Sequence, residues 1–305
     1  MERTNAYSLL DFLDNSPCNF FATATIQRYL DDNGFQELKQ SERWNLEKGG
    51  KYYVKKNDTA IFGFVIGETP LYQSGFNMIS AHSDSPCFII KPNPEMLADG
   101  VLKLNTEVYG GPILYTWFDR PLSLAGRVIV RNPQNPARPI TKLIDFASPV
   151  LIIPHLAIHF NRNVNAGNPL SKQKDMLPIA AIVSDSMSKN NFLIDQIKER
   201  LEIADSKDIL DFDLMLYNCQ KSQLVGFNKE FICSGRIDDL SMAHAALSAL
   251  LNSDNPATTK VMAIFDNEET GSGTKQGAAS PVLASILHRV ATCMGLDDEG
   301  FYQAL

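Results

Sequence analysis

Three short segments carry side chains of the kinds that hold divalent metal ions. They are "SAHSDSP" (80–86) with His82 and Asp84, "SGRIDDLS" (234–241) with Asp238 and Asp239, and "FDNEETGSG" (265–273) with Asp266, Glu268 and Glu269. A mixed imidazole and carboxylate set suits zinc and similar divalent metals. A pair of ions needs a carboxylate able to bridge them, and an aspartate at a loop-to-helix junction, such as Asp238, can do that. One further carboxylate must stay unligated to take a proton from the attacking water. Adjacent glutamates on a locally extended backbone point in different directions, so one can ligate while the other faces substrate. Asp84, two residues after His82, is placed to orient the imidazole.

Each segment also has a plainer reading. H-x-D occurs in surface loops. D-D ahead of a helix serves as N-terminal capping and dipole complement. E-E before T-G-S-G forms polar turns. The glycine-rich stretch is not a phosphate cradle, since a P-loop needs lysine directly after glycine. Here Thr274 separates Gly273 from Lys275, and Gly271, Gly273 and Gly277 do not match G-x-G-x-x-G. The other histidines are weaker candidates. His155 and His159 are four apart, a spacing that on a helix would make a two-histidine site, but no glutamate follows the first, so H-E-x-x-H is absent. His244 is expected to be structural or at the surface, and His288 exposed.

The elements that must position these residues follow from patterning. Residues 6–14 and 19–33 have amphipathic helical spacing. Residues 51–66 form a hairpin turning at Lys56-Asn57-Asp58, and 76–86 a strand entering a polar loop. From about 88 to 233 the texture is β-like with proline-rich turns, apart from a helix at 191–204. After 234 come a helix with apolar positions 242, 243, 246, 247, 250 and 251, the buried strand "TKVMAIF" (259–265), and a helix with Ser280 as N-cap and Pro281 in its first position. The α/β texture at both ends predicts an α/β fold interrupted by an inserted β domain. In open α/β sheets, sites form beyond the carboxyl ends of strands, where His82 and Glu268-Glu269 would lie.

The totals exclude some classes. The 305 residues suffice for one large or two ordinary domains. A net charge of −7 with no Lys/Arg-rich run argues against nucleic-acid or anionic-membrane partners. No window approaches a membrane-spanning length, and the first residues do not resemble a secretory signal. The five widely spaced cysteines form no C-x-x-C pair, which points to reduced thiols and a cytoplasmic location.

Five stretches together resemble the aspartyl aminopeptidase family of dizinc metallopeptidases. They are "SAHSDSPCFIIKP" (80–92), "EVYGGPILYTWFDRPLSLAGRV" (107–128), "IPHLAIHFNRNVN" (153–165), "SGRIDDL" (234–240) and "FDNEETGSGTKQGAASP" (265–281). They stand in the family's order, and the first eighty residues also fit its amino-terminal region. The resemblance implies a peptidase domain (1–90 and 234–305) with a central mixed sheet flanked by helices, and an inserted β-rich dimerisation domain (91–233). It implies removal of N-terminal Asp or Glu from peptides, two zinc ions, and self-association into a dodecamer. By position, His82 and Glu269 match zinc ligands and Asp238 the bridging aspartate. Glu268 matches the general base, Asp84 the catalytic aspartate behind the histidine, and His159 a substrate-binding histidine lent by a neighbouring subunit. Asp239 stands where relatives commonly carry asparagine. Family members continue past the helix at 280–294 into a segment with another aspartate ligand and a second histidine ligand, whereas this sequence ends "DDEGFYQAL". Three of five expected ligands are therefore matched, which leaves a catalytically inactive truncated form or an assembly fragment as the alternative expectation.

Overall fold

The computed structural model describes residues 2–183, 190–253 and 256–305. The chain forms two compact units, Met1–Ser85 with Ser222–Leu305, and Pro86–Lys221. The first unit opens with α1 (Glu2–Asp14), α2 (Asn19–Asp32), β1 (Gln36–Glu37), β2 (Lys51–Lys56), β3 (Ala60–Val65), α3 (Leu71–Ser74) and β4 (Phe76–His82). The second unit holds β5 (Cys87–Ala98), β6 (Val101–Tyr109), β7 (Leu122–Val130), β8 (Ile140–Asp145), β9 (Ile179–Ile182), α4 (Phe192–Arg200) and β10 (Ile209–Asn218). The chain then returns to the first unit through β11 (Gln223–Val225), β12 (Phe231–Cys233), α5 (Ile237–Asn252), β13 (Thr259–Phe265), α6 (Val282–Cys293) and α7 (Asp298–Ala304).

The first unit is built on a mixed sheet in the order β1-β2-β3-β13-β4. Alternation along its strands explains why "VMAIF" (261–265) is apolar throughout. In β13, Val261, Ala263 and Phe265 face one core with Phe62, Phe64, Ile286, Val290 and Phe301. Met262 and Ile264 face the other, with Phe12, Ile26, Ile61, Leu240 and Leu247. A strand covered on both faces has no solvent side to make polar. At the β2–β3 turn, Asn57 and Asp58 take φ of 56° and 58°, the left-handed pair that suits the twist of a two-residue hairpin.

The β4–β13 pairing fixes the site. These strands are parallel and in register from Thr259 opposite Phe76 to Phe265 opposite His82. Both therefore end at the same level, and the ladder runs one step further through Ser83 N–H to Phe265 O at 2.9 Å.

The second unit is a six-stranded sheet in the order β8-β7-β10-β5-β6-β9, with antiparallel neighbours throughout. Leu193 and Ile197 of α4 pack into its core beside Phe88, Leu102, Leu124 and Leu214.

One local expectation is corrected. The helix predicted to begin with Ser280 as N-cap starts one residue later, with Pro281 at the cap position, although Ser280 Oγ still accepts the Val282 N–H at 3.3 Å. The segment with His155 and His159 is not helical. Its start is tied into β-bridges at Leu151, Ile152 and Ile153, and Pro154 disfavours helical geometry in the residue before it. His155 N–H bonds Asp119 Oδ1 at 3.0 Å, and the two histidines share no helix face. Among the described residues no helix is long and apolar enough to cross a membrane, and all five cysteines are free thiols.

Candidate metal centre

His82 ends β4 and is nearly buried, at 9% exposure. Its Nδ1 lies 3.2 Å from Asp84 Oδ1 and 3.1 Å from the Asp84 carbonyl, so Nδ1 carries the proton and donates. Nε2 is thereby left as the ligand nitrogen. It faces Asp238 Oδ1 at 3.4 Å, Glu268 Oε2 at 3.8 Å and Asp239 Oδ2 at 3.9 Å.

Glu268 and Glu269 follow β13 but are not extended, contrary to the expectation from sequence. They occupy a single 3-10 turn, Glu268–Thr270, entered through Asn267 at φ 61°. The cause is Asp84, whose Oδ1 accepts the Glu268 N–H and whose Oδ2 accepts the Glu269 N–H, each at 3.2 Å. One buried carboxylate thus orients the imidazole and pins both glutamates. Gly271 then takes φ 95°, and at Gly277 a Cβ would collide with the Ser272 backbone, so these glycines let the loop fold back on itself. Ligand atoms of His82, Glu268 and Glu269 all lie within 4.8 Å of one another.

Asp238 and Asp239 sit at the start of α5 but do not cap it. Arg236 takes φ 59°, neither aspartate has helical angles, and the peptide bond between them is cis. Asp239 Oδ2 accepts the His82 N–H at 3.2 Å, while the Asp238 side chain stays 86% exposed.

Four carboxylates approach the ring of His82, and Glu269 is a fifth beside it. Burial works against protonating the imidazole. The hydrogen bond and charge of Asp84, with the charges of Asp239 and Glu268, outweigh it and push its pKa up to about 9. Burial, then the negative charge of Asp84, raises Glu269, and burial raises Asp239. Such a concentration of anionic donors around one neutral-capable imidazole fits a divalent cation, which would relieve the repulsion.

Sequence reasoning did not find the supports beneath the loop. Asp266, 1% exposed, accepts from Asn19 Nδ2 at 3.0 Å, from its neighbour Asn267 N–H at 2.8 Å and from Gln276 Nε2 at 3.4 Å. A carboxylate immediately after a buried strand was the available signal. His159 is an exposed residue of the second unit. His244 bonds Ser8 Oγ at 2.9 Å between α5 and α1, and His288 pairs with Asp298 at the surface.

Comparison with known proteins shows the family. The family model described as "Aminopeptidase I zinc metalloprotease (M18)" matches residues 12–303. A Clostridium novyi (strain NT) protein named "Probable M18 family aminopeptidase 2" is 50% identical over 301 residues, covering 98% of this chain and 69% of the relative. Among solved structures, a chain of the Ape4 and Nbr1 complex superposes with a TM-score of 0.93 at 32% identity, over 99% of this chain and 61% of that one. Chaetomium thermophilum mApe1 gives 0.86 at 31%, over 96% and 68%. The chain thus spans about two thirds of the length of the proteins it matches. With a family match over nearly all its length and half its residues shared with a named relative, the chain belongs to the M18 family of zinc metalloproteases.

Proposed function

We propose that the chain removes N-terminal Asp or Glu from peptides, with His82, Asp238 and Glu269 holding zinc and Glu268 handling the proton. The observation that carries this reading is the convergence of His82, Glu268 and Glu269 at the aligned ends of β4 and β13. Bound zinc would supply Lewis-acid polarisation of the scissile carbonyl. Glu268, 58% exposed, is the carboxylate free to meet substrate, and it takes the proton of the attacking water and passes it to the leaving amine. Asp84 keeps Nε2 directed outward and holds both glutamate amides. Asp238, highly exposed, has a second oxygen for a second ion. The preference for acidic residues rests on the family resemblance.

Self-association is part of the same proposal, with residues 91–233 as the dimerisation domain, His159 lent to a neighbour's substrate site, a dodecamer as the assembly and the cytoplasm as its location. Supporting it, Leu156, Ile158 and Phe160, which flank His159, are 62%, 51% and 80% exposed, an apolar strip suited to burial against another copy.

The test is hydrolysis by the zinc-loaded chain of short peptides beginning with Asp, Glu or Leu. Faster release of the acidic residues is expected. A folded, zinc-loaded and assembled protein that releases none, or prefers Leu, overturns the specificity. One observation favours the second reading, a non-catalytic assembly subunit: His82, Glu268 and Glu269 are the only group of three or more clustered ligand-type residues among those described. Tight binding of two zinc ions with turnover would reject it.

A further inference from the structure

Apart from the metal centre, the first unit has a pocket of about 340 Å³ between the segment after β1, the end of β2 and the start of α6. That volume is within the range of small-molecule sites, roughly 300–1,000 Å³. Trp44, Val282 and Ile286 give it an apolar wall, and Lys56, Lys275 and Arg289 bring three positive charges. No carboxylate lines it, and among the described residues none of the three cations is ion-paired.

The cations are held in place to different degrees. The Arg289 guanidinium lies 3.7 Å from the centre of the Trp44 ring, and its Nη1 donates to the Gln40 carbonyl at 2.9 Å and its Nη2 to that of Glu42. This fixes a charge without neutralising it. Lys56 Nζ donates to the neutral Gln40 Oε1 at 3.0 Å and keeps two further donors. Lys275 makes no hydrogen bond among the described residues, and it is the one residue of the glycine-rich loop that lines the pocket. The first turn of the twelve-residue α6 carries no acidic side chain, so its positive dipole end is also uncompensated.

We propose that this pocket binds a small anion with a flat apolar body, its phosphate or carboxylate head on Lys56 and Lys275 in the field of Arg289, and its body against Val282 and Ile286. What carries it is the pairing, in one concave site, of an apolar wall with three cations and no carboxylate in the lining, one of those cations held in place by Trp44 and two backbone carbonyls. It does not depend on the metal centre.

Calorimetric titration of the intact chain with phenyl phosphate, inorganic phosphate and benzoate tests it. Saturable binding is expected, tighter for phenyl phosphate than for inorganic phosphate because only the former covers the apolar wall. Comparing phenyl phosphate with benzoate tells which head group the cations prefer. Lys275→Gln and Lys56→Gln, both at accessible positions, should each weaken phenyl phosphate about tenfold, since charged hydrogen bonds are the stronger kind. Unchanged thermal unfolding would show that the variants fold. No saturable binding by the wild-type chain, or binding of phenyl phosphate by both variants as tight as the wild type's, overturns the proposal.

Discussion

The Glu268 amide donates to Asp84 Oδ1 at 3.2 Å across 184 residues of sequence. The same carboxylate accepts the Glu269 amide and the His82 imidazole, so it couples the end of β4 to the loop after β13. Asp84 is 2% exposed, and losing its carboxylate would leave the two amides without their acceptor and the ring proton with the residue 84 carbonyl alone.

Asp84→Ala should therefore lower zinc affinity roughly 10–100-fold, the usual effect of losing an outer-shell partner of a metal ligand. It should also cost about 1–3 kcal/mol of stability for the buried donors left unmatched. Asp84→Asn offers one acceptor oxygen instead of two and should fall between the two in competitive zinc titration and denaturant unfolding.

Glu268 and Glu269 should separate in their effects. Glu268→Gln should keep metal and lose activity, by about 10²–10⁴-fold for a removed general base. Glu269→Ala should lose metal first, and activity with it. Metal content measured beside turnover distinguishes them, and equal metal loss in both variants would reverse or merge the assigned roles.

The protonation of His82 makes metal binding and stability respond to pH. Its pKa is raised from 6.5 to about 9 in the metal-free fold. Zinc must displace that proton, so apparent affinity should fall about tenfold per pH unit below 9. For the metal-free chain the sign is that of a raised pKa: the protonated ring's contribution is full below pH 6.5 and is lost as pH rises through about 9. Denaturation in chelator at pH 6 and pH 9.5 should show this decline, and His82→Gln should reduce it.

The sheet that aligns β4 with β13 depends on its two cores. Phe62 is fully buried and meets Phe265 edge to face at 5.4 Å. Phe62→Ala should destabilise by about 3–5 kcal/mol, read by chemical denaturation, whereas Ile113→Ala, at a side chain 72% exposed, should have little effect.

Local structure was legible where one segment contains its own signal. The bounds of β13 are those expected from "TKVMAIF", because a short run whose last five residues are all apolar and covered on both faces leaves no ambiguity of face. The β2–β3 hairpin follows from two turn residues that tolerate left-handed angles. The candidate metal centre was visible in the sequence as residue types but not as a network. Nothing near Asp84 shows that its oxygens meet amides 184 and 185 residues away, or that Asn19 reaches Asp266 across 247. The extended geometry expected at Glu268-Glu269 failed for the same reason, since a distant carboxylate winds them into a turn. At His155 and His159 the β-like reading fits the bridges at Leu151, Ile152 and Ile153, and without a helix the four-residue spacing gives the two histidines no shared face.

The central claim is that His82 Nε2, Asp238 and Glu269 hold zinc in one place. Crystals of the zinc-loaded chain, measured on both sides of the zinc absorption edge, test it most directly. The account predicts an anomalous peak about 2.0–2.2 Å from His82 Nε2 and from oxygens of Asp238 and Glu269, absent in crystals of Glu269→Ala. A peak elsewhere, or none at this site in a protein that binds zinc in solution, would contradict it.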